Sequence, residues 1–459
     1  MQYIENKTFD EIAVGDTARI ERVLGQADID LFGILSGDVA PVQDAACEDI
    51  EQGMWGTALI AAVLGSELPG VGTAYVSQSL EFHRAIAVGD TVTVIVTVLE
   101  KAAGGLVVLS CQCLGAVGEV LISGRAKVIA PKEKVRRPRR ELPAVHLHVR
   151  GARHAQLVAA AQAVGAIATA VIHPCDADSL LGALAARDAG LIVPVLVGPL
   201  AKIRAVAVAQ GVSLDGIELV DTAHSHAAAA AGVAMAREGK VAALMKGKLH
   251  TDEIMAAVVD SATGLRTDRR ISHVFALDVP QYDKPLFITD AAINIEPDLN
   301  VKRDIIQNAI DLAHALGIKL PKVAILSAVE TVTPAIRSTV EAAALCKMAE
   351  RGQISGGVLD GPLAFDNAVS LEAAKAKDIV SVVAGQADIL VAPDMVSGNM
   401  IAKQLIYLAG AQSAGLALGA RVPIILTSRS DGVAARVASA ALATLFAAHQ
   451  RHMLTAGKA

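Results

Sequence analysis

Residues 423–432, PIILTSRSDG, carry an apolar run directly into Thr427, Ser428, Arg429, Ser430 and Asp431. A hydroxyl donor next to a guanidinium is suited to holding negative charge as it develops on two neighbouring oxygens. A carboxylate three residues past the serine is placed to take a proton or to orient a nucleophile. If 422–426 is a strand of a parallel sheet, these side chains stand at its carboxyl end, where open α/β sheets bind ligands. The same residues also suit a blander arrangement: a capping serine with a surface arginine beside it, and Asp431 as a helix-cap aspartate.

Other stretches offer similar chemistry. MKGKLHTD (245–252) puts Lys246 and Lys248 at a strand-to-loop passage, and GLRTDRRISHVF (264–275) sets Arg266, Arg269 and Arg270 before a strand. In GVLDGPLAFDNAVS (357–370), Asp360 falls in a turn at the end of an apolar run. In VAGQADILVAPDMVSGNMIAKQL (383–405), Ser397 or Asn399 is expected to cap a helix and leave N–H groups for an anion. Near the front, SGDVAPVQD (36–44) sets Asp38 after a glycine turn. The His-x-His pairs 146/148 and 224/226 lack a third ligand in sequence reach, and His250 and His273 read as loop or core histidines, so no metal is expected.

These residues need elements to hold them. Residues 91–99, TVTVIVTVL, alternate with period two, the mark of a strand with one buried face; 105–114 and 118–129 read alike, while 56–66 suits a buried helix. The front is therefore expected to be a small α+β domain, with long strands wrapping one helix. Residues 131–143, PKEKVRRPRRELP, combine six Lys or Arg with three Pro and predict a linker. Beyond it, strand candidates at 191–197, 241–245, 322–327, 388–392 and 422–426 alternate with helices such as 303–316 and 433–448. That alternation predicts parallel sheets covered by helices, and the length predicts two lobes. The expected division is 1–130, a linker at 131–143, and 144–459.

The totals agree with a globular protein. Hydrophobic residues make up 53% of the 459 residues and aromatics only 3%, so the filling is aliphatic. A net charge of −6 argues against a dominant nucleic-acid surface. The five scattered cysteines, Cys47, Cys111, Cys113, Cys175 and Cys346, have no framework spacing and point to a reducing cytoplasm. Cys111-x-Cys113 reads as a pair of buried strand residues. The start, MQYIENKTFDEI, lacks an apolar signal region, and no apolar run reaches membrane-spanning length, so a cytoplasmic protein without membrane contact is expected.

Two resemblances sharpen this reading. Residues 145–450 resemble the phosphate acetyltransferase/phosphate butyryltransferase family through MKGKLHTD, GLRTDRRISH, ITDAAINIEPDL, DGPLAFDNA, AGQADILVAPD, SGNMIAKQL and TSR, in that order. Residues 8–130 resemble the hot-dog fold of MaoC-like (R)-specific enoyl-CoA hydratases through FDEIAVGD, SGD-x-x-P, GMW and GDTVTV. The whole is similar to fused bifunctional enoyl-CoA hydratase/phosphate acetyltransferases. The first resemblance implies a two-lobed α/β fold like that of isocitrate and isopropylmalate dehydrogenases. It implies an acyl group moving between phosphate and coenzyme A, which is a substrate rather than a resident cofactor. Acyl-CoA, phosphate and acyl phosphate are the other expected ligands, and a homodimer or larger homo-oligomer is the expected assembly.

On that resemblance, Ser428 serves the tetrahedral intermediate, Arg429 the phosphate, and Asp431 is a candidate base or thiol-orienting residue. Lys246, Lys248, Arg266, Asp360, Asn399 and Thr427 are the expected substrate contacts. An arginine that many members carry after the lysine loop is missing, since Met255 and Ala256 occupy that stretch. In the front domain Asp38 remains, but Gln43 stands where the hydratases have a histidine, and Gln52 where they have a second. Glutamine cannot accept a proton as imidazole does, so the hydratase site is expected to be degenerate. The alternatives are a retained hydratase at Asp38, with Gln43 orienting water, and a non-catalytic CoA-binding scaffold. A dehydrogenase is disfavoured, for no G-x-G-x-x-G sits at a strand–helix junction.

Overall fold

The structure, a computed structural model, describes residues 3–37, 48–139, 145, 151–428 and 431–456; for 48–53 and 454–456 it describes the backbone alone. The chain forms two compact units, Met1–Leu147 and His148–Ala459.

The first unit runs β1 (Tyr3–Glu5), β2 (Thr17–Val23), α1 (Gln26–Ser36), α2 (Glu48–Ser66), β3 (Ala74–Phe82), β4 (Thr91–Ala102), β5 (Leu106–Leu114), β6 (Val120–Ile129) and β7 (Arg136–Pro138). Five strands form one antiparallel sheet in the order β2-β4-β5-β6-β3, and α2 packs on β2, β4 and β5. The Thr/Val alternation of β4 does what its period implies: Val92, Val94, Val96 and Val98 are buried, while the residues between them are partly exposed. Cys111 and Cys113 lie opposite Val96 and Val94 on β5, fully buried, and burial pushes their thiols up to about 11 and about 12.

Part of the basic segment expected to be a linker is tied into this unit. β7 pairs antiparallel with β1, and Asn6 clamps the junction by donating from Nδ2 to the carbonyls of Val71 and Glu133 and accepting from Val135 N–H. Lys134 bridges Glu5 and Glu11. One of the charges that argued against packing, Lys134, is thus paired at the surface.

The second unit runs α3 (Ala152–Val164), β8 (Ile167–Ile172), α4 (Ala177–Asp188), β9 (Ile192–Gly198), α5 (Leu200–Gln210), β10 (Glu218–Asp221), α6 (Ser225–Arg237), β11 (Ala243–Lys246), α7 (Thr251–Val259), β12 (Ser272–Asp278), β13 (Leu286–Thr289), α8 (Leu299–Ala315), β14 (Lys322–Leu326), α9 (Arg337–Glu350), β15 (Val358–Leu363), α10 (Phe365–Val369), α11 (Leu371–Ala376), β16 (Ile389–Val391), α12 (Met395–Tyr407), β17 (Gln412–Leu418), β18 (Ile424–Ile425) and α13 (Val433–Ala456). All its strands join one sheet of eleven, in the order β10-β9-β8-β11-β18-β17-β12-β13-β16-β14-β15.

The sheet is not parallel throughout. β10, β9, β8, β11 and β18 form one parallel block, and β13, β16, β14 and β15 form another. Between them β17 and β12 are antiparallel to their neighbours, so the two blocks run in opposite directions. The connections explain this. Residues 279–285 and 419–423 are shorter than the dozen or so that a parallel crossover needs, so they close hairpins. Carboxyl ends of the two blocks therefore lie at opposite edges of the sheet.

Candidate active site at the ends of two parallel strands

β11 and β18 are parallel neighbours, with Leu244 opposite Ile424 and Met245 opposite Ile425. Their alignment brings Lys246 beside the Thr427–Ser428 turn. Lys246 is 4% exposed, and its Nζ donates to the carbonyl oxygen of Thr427 at 3.3 Å. Lys246, Leu249, His250, Thr251, Asp252, Thr427 and Ser428 line one pocket of about 450 Å³. A buried ammonium loses hydration worth several kcal/mol, so it persists only where polar groups surround it.

Ser428 is fixed from the other side. Its N–H donates to Asp431 Oδ2 at 2.7 Å, and its carbonyl accepts from Asp431 N–H at 3.2 Å. Asp431 thus closes the turn on the serine just ahead of α13. Arg429 and Ser430 lie outside the described residues.

The neighbouring loop extends this edge. Beyond β8, the carbonyls of Ile172 and His173 accept from the N–H groups of Gly247 and Lys248 at 2.9 Å each, and His173 Nδ1 meets the Lys248 carbonyl at 2.7 Å. A Cβ on Gly247 would press on the carbonyl oxygens of Ile172 and His173, so only glycine lets these loops lie together. Lys248 is exposed at this rim.

One residue at the site escaped the sequence reading. Arg436, on the first turn of α13, is 3% exposed. Its Nη1 donates to Thr427 Oγ1 at 2.8 Å and approaches the Lys246 carbonyl at 3.5 Å; Nη2 approaches the Ser428 carbonyl at 3.5 Å. Burial lowers the pKa of the guanidinium, opposed by Asp176, Asp431 and Asp178. Asp176 caps α4 by accepting from Ser179 N–H; although burial raises its carboxyl, the Ser179 hydrogen bonds and Arg436 bring the balance below the usual carboxylate range. The available signal was that Arg436 is the one charged residue in the apolar stretch 433–448.

Three expected contacts are not gathered here. Arg266 bridges to Ala420, ahead of β18, so it stands at the other end of that strand from Ser428 and lines a separate groove with Met255, Arg269 and Arg270. Asp360 is on β15, the far edge of the sheet, and accepts from Gly361 N–H at 2.8 Å. Asn399, on α12, donates to the Ala291 carbonyl at 3.0 Å and so pins the loop after β13. The cap of α12 is also corrected: Asp394, not Ser397 or Asn399, accepts from Ser397 N–H at 2.8 Å. The proline–aspartate turn ends one residue before the helix, which hands the cap to the aspartate.

A second buried polar knot forms around Asp290, 2% exposed. It accepts from the N–H groups of His273, Ala292, Ile293 and Asn294, and from the Asn294 side chain at 2.5 Å. His273 is core, as expected, and burial lowers its affinity for a proton against the pull of Asp290 and the Leu426 carbonyl. Among the described residues no three His, Cys, Asp or Glu gather as metal ligands, and no helix is long and apolar enough to cross a membrane. His83 meets Ser123 Oγ at 2.7 Å on the surface of the first unit, whereas Asp38 and Gln43, together with the Gln52 side chain, lie outside the described residues.

The comparisons with known proteins bear on the second unit. The family model described as Phosphate acetyl/butaryl transferase matches residues 225–444. A phosphate acetyltransferase of Rhizobium meliloti is 63% identical over 296 residues, covering 64% of this chain and 94% of that protein. The chain belongs to the phosphate acetyl/butyryl transferase family. A phosphate butyryltransferase of Clostridium acetobutylicum is 40% identical, over 58% of this chain and 89% of that protein. The crystal structure of a branched-chain phosphotransacylase from Enterococcus faecalis V583 superposes with a TM-score of 0.54 at 28% identity, over 61% of this chain and 99% of that one. The expected acyl-transferring enzyme, with coenzyme A as substrate, is borne out by this membership, as is the α/β character of the second unit.

Proposed function

We propose that the second unit transfers a short acyl group between coenzyme A and phosphate at the carboxyl ends of β11 and β18. The observation that carries the placement is the convergence of a buried ammonium, Lys246, with the Thr427–Ser428 turn on one pocket. A free thiol titrates near 8.5, so about a few per cent is thiolate at neutral pH and a nearby carboxylate helps. The thiolate attacks the carbonyl carbon of the acyl phosphate, charge builds on the carbonyl oxygen, and phosphate departs as an anion. The Ser428 hydroxyl is assigned to the oxygen, Arg429 and Lys246 to the phosphoryl group, and Asp431 to the thiol, close by Ser428. Lys248 at the rim is assigned to coenzyme A. Arg266, Asp360 and Asn399 are kept as substrate contacts from the resemblance alone.

A coupled assay for CoA-dependent release of phosphate tests this reading. Turnover is expected in the parent and should collapse in Ser428→Ala and Arg429→Ala; unchanged turnover in either variant discards that residue's role.

The first unit is assigned to the MaoC-like hot-dog class, with 1–130 as its extent and 144–459 as the transferase. Its five-stranded antiparallel sheet around α2 supports the assignment. We read its hydratase site, Asp38 with Gln43, as degenerate, for the sequence has no imidazole at either expected position. The protein is assigned to the cytoplasm and to a homo-oligomer.

A further inference from the structure

Acyl transfer moves two protons, and so far one of them has a partner. At neutral pH an acyl phosphate carries its phosphoryl group as the dianion. When the tetrahedral intermediate breaks its C–O bond, unassisted departure releases phosphate as the trianion, a strong base and a poor leaving group. A proton delivered to the bridging oxygen lets hydrogen phosphate depart instead. The proton that the CoA thiol gives up goes to Asp431, held against Ser428; the leaving phosphate needs a donor of its own. Among the described residues that line the Ser428 pocket, three are titratable: Lys246, Asp252 and His250. In water a lysine ammonium holds its proton too tightly and an aspartate has none to give at neutral pH, whereas imidazole titrates at about 6.5. His250 is exposed, so a spent ring regains its proton from solvent. The chain around it is fixed. Leu249 before it is buried in the core under α6 and α7, α7 begins directly after it, and its N–H donates to Glu253 Oε1 at 3.5 Å. Glu253 stays ionised, for the Ser225 hydroxyl holds its carboxyl below the usual carboxylate range against burial. Negative charge is therefore at hand for a protonated ring.

We propose that His250 is a catalytic residue, the general acid that hands its proton to the bridging oxygen of the acyl phosphate as the C–O bond breaks and phosphate leaves. This rests on the acyl-transfer reading and gives a part to a histidine whose sequence context reads as a loop. The protons balance: one passes from the CoA thiol to Asp431, one from His250 to phosphate, and exchange with solvent restores both groups. In the opposite direction the neutral ring takes the proton of hydrogen phosphate as its oxygen attacks the thioester carbonyl, and Asp431 returns a proton to the departing thiolate.

The test follows formation of acetyl-CoA from acetyl phosphate and CoA as a function of pH, by the parent, His250→Asn and His250→Ala in the full chain. Asparagine is favoured ahead of a helix, so His250→Asn keeps the start of α7 and removes the titrating ring. Its kcat should fall about 10²–10⁴-fold, with KM for acetyl phosphate little changed. In the parent kcat should decline on the alkaline side, where the acid has lost its proton, and that decline should vanish in His250→Asn. The other charged and titratable groups around this position are Asp252 and Glu253 on α7, His226 on α6, Lys246 and Lys248 on the neighbouring loop, and Asp431 behind Ser428. All of them remain in the variant, so an alkaline decline that survives belongs to one of them and overturns the proposal. Added imidazole should restore part of the rate to His250→Ala, in step with the imidazolium fraction. A histidine that only starts α7 predicts a different result: a lower unfolding temperature, a pH profile of the parent's shape, and no response to imidazole. That outcome, or parent-like kcat in both variants, overturns the proposal. If one variant does not fold, the other decides, by its pH profile or by its response to imidazole. No acyl transfer by the parent would instead overturn the functional reading, and this inference with it.

Discussion

The two units bury charge very differently. Among the described residues of the first unit, the buried polar side chain is Asn6, whose donors and acceptor are spent on three backbone groups. The second unit buries Lys246, Lys302, Arg436, Asp290, Asp388 and His273. Some of these are structural: Lys302 meets Glu341 at 2.5 Å, and Asp388 meets Lys284 at 2.6 Å. Lys246 and Arg436 meet at one turn: Lys246 Nζ donates to the Thr427 carbonyl and Arg436 Nη1 to the Thr427 hydroxyl. An aliphatic core is the cheaper way to fill space, so two buried cations converging on one turn mark a place kept for another reason. That contrast agrees with the family match, which falls on the second unit.

The strongest challenge to the contrast is Ser428→Ala. If the hydroxyl stabilises the oxyanion, kcat should fall about 10²–10³-fold, while the backbone N–H and carbonyl bonds to Asp431 are kept. A parent-like kcat in a coupled phosphate-release assay would move the chemistry elsewhere. Next in size is Leu109→Ala in β5. Leu109 is fully buried in the first unit's core, and losing it should cost about 2–5 kcal/mol in denaturant unfolding of that unit. Acyl transfer at 25 °C should be unchanged. A parallel loss of transfer would show that the first unit is needed for the chemistry.

A smaller effect comes from pH. Burial keeps His273 and His154 below the ordinary histidine value of 6.5. The unfolded chain therefore takes up protons before the folded one does, so stability is full above about pH 6.5 and declines as the pH falls below it. Each histidine contributes a slope of at most about 1.4 kcal/mol per pH unit. His273→Asn should flatten the decline in unfolding temperature between pH 6.5 and 5. An equally steep decline in the variant would mean that His273 does not stay neutral in the fold.

How much of this could be read from the sequence depends on the feature. The Thr/Val alternation of β4 and the Cys-x-Cys of β5 report their burial directly, because one face of an antiparallel sheet is buried and the period shows it. The direction of β12 and β17 is hidden, since a buried strand reads as an apolar run whichever way it points; the clue lay in the short stretches 279–285 and 419–423. Ser428 and Lys246 were legible by type and by position after a strand. Asp360 was read as a polar turn residue but lies within β15, and pattern does not give strand order, which puts β15 at the far edge. Arg436 lay in a run read for its apolar face, and its meaning depends on the β11–β18 pairing beneath it.

The last prediction has an expected size of zero, and it tests the other side of the contrast. Asp38→Asn removes the acid that survives in SGDVAPVQD, while Gln43 and Gln52 offer no imidazole to work with it. Losing a general base costs about 10²–10⁴ in rate, so hydration of crotonyl-CoA, followed by ultraviolet absorbance, should already be near background in the parent. The substitution should then change neither hydration nor acyl transfer. Rapid hydration abolished by Asp38→Asn would show that a carboxylate and an amide suffice to activate water there. The poverty of buried charge in the first unit would then say nothing about its chemistry, because a site built on an open loop needs no charge in the core.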